Sequence, residues 1–230
     1  MKIKVLILLS LLLLPFCIKA QNYNFKYNPG EFTELKVIGK IDVVLLKSMT
    51  NELQYSVEGI GKDDLIFDNK NGELVIKVKF TAGIAKNYKV KMKILYKNIS
   101  ELFAGASAVI NIKERLSGSS LNVEAGNDAE IYLDDLQTTK AELKSSAGGT
   151  IQVTGMVRGL DAKANSGGTV YALDLISDDV KVRADAGGLV EVAAIKSIEA
   201  KATTGGKVVY SRNPKDVKTS TSFGGKIETK

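Results

Sequence analysis

The stretch Val180-Lys181-Val182-Arg183-Ala184-Asp185-Ala186-Gly187-Gly188-Leu189-Val190-Glu191-Val192 decides the fold of this chain. Residues 180, 182, 184 and 186 are apolar or small, and those between them are polar. The alternation resumes at 190 and 192, beyond the two glycines. Period two on each side of a tight corner reads as strand, corner, strand. The corner returns as Gly148-Gly149, Gly167-Gly168, Gly205-Gly206 and Gly224-Gly225, at steps of 18 to 20 residues. A period near 20 marks one supersecondary unit stacked on copies of itself.

Aligning the copies gives the first inward residue of each as Leu121, Ala141, Leu160, Val180, Ile198 and Val217. The first inward residue after each corner is Ile131, Ile151, Val170, Val190, Val208 and Ile227, always 10 residues on. The same offset reaches back to Ser100 and Ile110, so there are about seven copies, the first two without Gly-Gly. Length is constant across the corner and varies only in the outer connections. A solenoid needs this, because a one-residue slip would turn every following side chain to the other face. The pattern predicts an all-β fold, a single-stranded parallel β-helix or β-solenoid of about seven rungs over residues 99–230. Residues 21–98 read as a less regular β section that starts and caps it, with a hairpin at Asn71-Gly72. An antiparallel sandwich would want Asn-Gly or Asp-Gly hairpins within the repeats, and they have none. A phosphate loop is also disfavoured, since these glycines open onto strands and not onto helix N-termini.

Residues 1–20 read as a secretory signal peptide. Lys2 and Lys4 precede an apolar run, and Ile18-Lys19-Ala20 is a cleavage site with a small residue last. The run is short for a membrane span, and no later stretch is apolar enough for one. The expected location is therefore periplasmic, cell-surface or secreted. Cys17 is the sole cysteine and leaves with the signal, so no disulfide is expected. Lipidation of Cys17 would want a small residue where Phe16 stands. The 32 basic residues include Lys2, Lys4 and Lys19, so a chain cleaved after Ala20 carries 29 bases against 26 acids, a net of +3. That balance and the absence of basic blocks do not describe a nucleic-acid partner. Histidine is absent, which excludes histidine-based triads and metal sites; no cofactor or metal is expected.

The corners Ser145-Ser146-Ala147-Gly148-Gly149, Asn165-Ser166-Gly167-Gly168 and Asp185-Ala186-Gly187-Gly188 share one pattern. Phe103-Ala104-Gly105-Ala106-Ser107-Ala108-Val109-Ile110 and the strand Gly39-Lys40-Ile41-Asp42-Val43 belong with them. In these residues the chain resembles the head GIN domain of putative auto-transporter adhesins, over roughly 30–230. The resemblance implies a secreted β-helical, adhesin-like domain and brings no catalytic residues. It also implies a C-terminal translocator barrel, whereas the sequence runs to Lys230 with a last repeat.

Two outward rows could carry a ligand. Lys144, Lys163, Arg183 and Lys201 recur three residues past each rung start, as a ladder for an acidic glycan or other polyanion. The row one residue past the start holds Glu142, Asp161, Lys181 and Glu199, so a charge-balanced, solvated face is the plainer reading. Tyr132 and Tyr171 share another outward row and could stack on a sugar ring, although tyrosine is ordinary on sheet faces. Ser146, Asn165, Asp185, Thr203 and Ser222 could form a hydrogen-bonded corner ladder. Asp134-Asp135 and Asp178-Asp179 are the acid pairs a glycosidase would need, but their positions suit turns. The sequence thus favours a non-catalytic, adhesin-like binder of a glycan or an envelope or matrix protein. A polysaccharide lyase or glycosidase, or a structural envelope component, are the alternatives.

Overall fold

The computed structural model describes residues 23–83 and 87–230; the signal segment and Cys17 lie outside them. The chain forms a β-solenoid of about six turns. Strands β10 (Leu116–Gly126), β11 (Glu130–Ser146), β12 (Thr150–Ala164), β13 (Thr169–Ala184) and β14 (Leu189–Thr203) are parallel and pair in sequence order. The seventh repeat copy supplies only β16 (Asp216–Ser222) and β17 (Lys226–Thr229), which pair with β14 and with β15 (Lys207–Ser211).

The long strands are not straight. In β11 the buried residues are Ile131 and Leu133, then Leu136 and Thr138, then Ala141, Leu143 and Ser145. The consecutive outward residues Asp134-Asp135 and Thr139-Lys140 separate these runs, and each such pair marks a bend. Every turn therefore has three faces. Face A precedes the Gly-Gly corner, face B follows it, and face C leads back to the next face A. Inward residues stack rung on rung, as in Leu143, Ala162, Val182 and Ala200, which are all buried.

The corners explain the glycines more fully than the sequence did. Both the residue before the pair and the first glycine are left-handed, as in Ala186 (φ 46°) and Gly187 (φ 74°). The two early corners do the same without glycine, using Ala106-Ser107 and Asn127-Asp128. The second glycine serves a different need. A Cβ on Gly188 would strike the backbone of Ala164 and Asn165 on the preceding turn. Conformation selects the first glycine, and close backbone approach selects the second.

Ser145 occupies an inward position filled by alanine in the neighbouring turns, Ala125 and Ala164. Its buried hydroxyl donates to the Gly149 carbonyl at 2.5 Å and accepts the Thr169 N–H at 3.1 Å. Ser145→Ala removes both contacts and should cost about 0.5–1.5 kcal/mol in denaturant melts, because the Thr169 N–H still donates to the Gly149 carbonyl at 2.9 Å. An unchanged midpoint would show that the corner closes without this bridge.

The N-terminal section starts the stack. Strands β2 (Glu34–Ile38) and β3 (Ile41–Lys47) form faces A and B of a first turn. β8 (Glu101–Gly105) and β9 (Val109–Ile112) lie between that turn and the repeats. On the far side, β6 (Glu73–Val78) pairs with β2 and β7 (Lys89–Tyr96) with β3, both parallel. Antiparallel strands then close the end. β4 (Glu52–Glu58) lies on β7, β1 (Phe25–Tyr27) on β4, and β5 (Leu65–Lys70) on β6 through the predicted Asn71-Gly72 turn. Rings of Phe25, Tyr27, Tyr55 and Phe67 pack over it. Two expectations need correction. Ser100 is exposed, because β8 begins at Glu101, and Val217 is 45% exposed, because β16 has a parallel neighbour on one side only.

Candidate functional site

The ladder Lys144, Lys163, Arg183 and Lys201 exists as a register: each residue is paired with the next across β11, β12, β13 and β14. It lies outward on face A and about 4.8 Å separates successive rungs. Its charge is largely consumed locally. Lys144 Nζ lies 2.8 Å from Glu142, and Lys163 Nζ lies 3.8 Å from Glu142 and 3.3 Å from Asp161. Arg183 pairs with Asp185, which also accepts the Thr203 hydroxyl at 2.5 Å. The corner row is thus hydrogen-bonded in part, and the face is closer to charge-balanced than to a bare cationic track.

These contacts shift the acids. The Lys144 hydrogen bond holds the Glu142 carboxyl below its usual 4.5. Burial pushes Asp185 upward, but hydrogen bonds from Arg183 and Thr203 outweigh it and the net shift is below the usual 3.8. A carboxyl depressed in the folded state stabilises fully above its unfolded value, and that contribution is lost as pH falls through the folded value. Thermal midpoints should therefore hold from neutral pH to about the unfolded carboxylate range near 4–4.5 and fall below it. Glu142→Gln should flatten part of that fall, and an identical acid limb in the variant would contradict it.

The tyrosines sit elsewhere. Tyr132 and Tyr171 are outward on face B, on the other side of the Gly-Gly corner, with Gln152 between them in register. The Tyr132 hydroxyl donates to Glu130 at 2.6 Å, and Tyr171 is 41% exposed. The structure does not bring ladder and tyrosines into one site.

A groove on face A gathers other residues. It has a volume of about 590 Å³ and runs along the solenoid axis at the bend between faces C and A. One wall is the row before the rung start, which holds Lys140, Gly159, Asp179, Ser197 and Asp216. The other is the row after it, with Asp161, Lys181, Glu199 and Lys218. Leu160, Val180 and Ile198 form an apolar floor. Gly159 has no side chain and Ser197 a short one, so this row dips between longer neighbours. The groove crosses five parallel strand segments, about 19 Å from first to last.

Both signs of charge line it. Ser197 donates to Asp179 at 2.7 Å, and Lys181 Nζ is 3.8 Å from Glu199. Among the described residues, Lys140 and Lys218 make no ion pair within 4 Å. Lys163 and Asp161 link the groove to the ladder, although that pair lacks hydrogen-bond geometry at Asp161 Oδ1. The sequence showed the row after the rung start. It hid the row before it, because the bend at Thr139-Lys140 breaks the period there. Of the acid pairs, Asp178 accepts Lys196 at 2.9 Å and Asp135 accepts Arg115 at 2.8 Å, as bend-shaping contacts would. Asp179 alone of the four lines the groove. The described residues hold no cluster of three or more acidic, histidine or cysteine side chains placed for a metal ion.

A three-faced β-solenoid with an axial groove defines a class of repeat-built domain. The chain belongs to the family described as putative auto-transporter adhesin, head GIN domain, whose model matches residues 31–214. A structure of a putative adhesin from Bacteroides fragilis NCTC 9343 superposes with a TM-score of 0.77 at 17% identity, covering 90% of this chain and 95% of that one. A putative adhesin from Parabacteroides merdae ATCC 43184 gives 0.70 at 18% identity with the same coverages. A putative lipid binding protein from Parabacteroides distasonis ATCC 8503 gives 0.68 at 17%, again over 90% and 95%. At these identities the likeness is one of fold. No curated protein matches the sequence. Among the described residues no helix is long and apolar enough to cross a membrane.

Proposed function

We propose that the protein is an exported, non-catalytic binding module of adhesin type that holds an extended, near-neutral glycan along the face A groove. The groove carries this reading: it is axial, and along one wall Asp161, Lys181, Glu199 and Lys218 alternate carboxylate and ammonium rung by rung, facing Lys140, Asp179, Ser197 and Asp216 on the other. Such groups accept from and donate to sugar hydroxyls. Three lysines against four acids leave little net charge, so a polyanion gains nothing here, and the paired ladder beside it adds little. An acyl chain would need deeper apolar walls than Leu160, Val180 and Ile198 supply.

Calorimetric titration with soluble dextran, xylan and mannan, alongside heparin as a polyanion, tests the reading. Saturable binding of a neutral polysaccharide is expected, weakened roughly tenfold or more in Asp179→Ala/Lys181→Ala. No binding by any of them, or binding untouched by the double variant, overturns it. Release of shortened sugars that ceases in Asp179→Ala would instead favour the polysaccharide-cleaving alternative.

A further inference from the structure

Face C begins one strand later than faces A and B. Between Tyr96 at the end of β7 and Glu101 at the start of β8, only residues 97–100 are available, too few for a third face. The first face C segment is residues 116–120 of β10. These pair with β11 on one side, as Leu116 with Leu136, Gly118 with Thr138 and Ser120 with Lys140. On the other side β10 meets β8 only from Asn122 onward. Among the described residues, the edge of 116–120 is therefore unpaired.

A cavity of about 340 Å³ lies against that edge. Its opposite wall is residues 98–100 together with Lys47 and Tyr96. Lys47 Nζ sits 5.5 Å from the centre of the Tyr96 ring and bonds the Lys97 carbonyl. Tyr96 is 1% exposed, and its hydroxyl has no hydrogen-bond partner among the described residues. Burial, aided by Glu114, raises that hydroxyl to about 12, so it stays protonated. Among the described residues, Lys47 and Arg115 are the charged residues of the lining, and no carboxylate lines it. Glu114 is turned to the Lys47 backbone N–H at 3.2 Å, and Asp135 holds Arg115 from outside the cavity. Ser117, Gly118, Ser119 and Ser120 carry small side chains, which lets another backbone approach.

We propose that this notch takes an extended peptide segment from a partner protein, added as a strand against residues 116–120, with an acidic side chain toward Lys47 and Arg115. A missing strand leaves backbone N–H and C=O groups that only another strand can satisfy in register. Lys47, which makes no ion pair among the described residues, sets the charge preference, and Arg115, held by Asp135 from outside the notch, adds to it. A free anion would use the cations and leave the edge unmet. The notch adjoins the first rung of the groove, where Ser120 pairs with Lys140, but its open edge and its two cations lie outside the groove and do not depend on it.

The test uses a fluorescein-labelled hexapeptide of alternating glutamate and valine, read by anisotropy on the intact protein. Its lysine–valine counterpart and a version N-methylated at alternate residues are the controls. Saturable binding is expected for the glutamate peptide, roughly tenfold or more weaker for each control, and weaker again in Lys47→Ala/Arg115→Ala. Hydrogen exchange should slow at residues 116–120 when the peptide binds. Both cations are exposed side chains, so the variant keeps its fold, which an unchanged thermal midpoint verifies. Equal affinity for the N-methylated peptide, displacement by free glutamate alone, or protection that appears with self-association in place of peptide binding would each overturn the proposal.

Discussion

Gly188→Val lowers stability by about 3 kcal/mol or more, and Gly187→Asn by no more than about 1 kcal/mol. The two glycines are adjacent, yet they answer to different constraints. At Gly187 the backbone is left-handed with open space where a Cβ would go. Asparagine tolerates that conformation, and Asp128 holds it at the equivalent place in an earlier corner. At Gly188 a side chain meets the main chain of Ala164 and Asn165, which cannot rotate away. The earlier corners carry alanine in this slot, at Ala108 and Ala129, so a branched side chain gives the clearer contrast. In a domain of this size the difference should appear as roughly 4–12 °C between the two thermal midpoints. Equal midpoints would mean that the turns do not approach as closely as the fold requires.

A single alanine inserted between Gly187 and Gly188 should have a still larger effect. It shifts the parity of everything that follows in β14, exposing Val190 and Val192 and turning Glu191 inward. Both valines are fully buried, and returning each to water costs about 1.5–3 kcal/mol before the buried charge is counted. The total approaches the whole stability of an ordinary domain, so the C-terminal turns should detach. One glycine inserted between Leu173 and Asp174 should cost no more than about 1 kcal/mol. That site lies in the bend between faces B and C, where turns already differ in length. The register passes from Gln152 to Gly155 in β12 but from Tyr171 to Leu175 in β13. Circular dichroism melts of the two insertions distinguish them, and comparable losses would show that the corner is not what fixes the register.

These contrasts also mark what could be read from residues alone. The corner and the inward stack were legible, because glycine and alternation act locally and repeat. The position of every first inward residue from Leu121 to Ile198 follows from period two and holds in the structure. The third face was not legible as a separate element. Its bends are pairs of outward residues, such as Thr139-Lys140, that look like lapses in the pattern until a partner strand reveals them. The groove lies at that bend, so Lys140 and Asp216 escaped notice and Asp179 was read only as half of an acid pair, while Lys144, Lys163, Arg183 and Lys201 stood out. The ladder was correctly aligned, but its neutralisation depends on side chains one row over and on the corner. Tyr132 and Tyr171 share a row as expected, on a face that the corner turns away from both groove and ladder.

The groove can be tested most directly by a backbone-resonance titration of the protein with the neutral polysaccharide that binds it best. Shifts should concentrate at Asp161, Asp179, Lys181, Ser197 and Glu199 and leave face B at Tyr132 and Tyr171 unmoved. Shifts centred on face B, or scattered with no cluster along the bend between faces C and A, would contradict it.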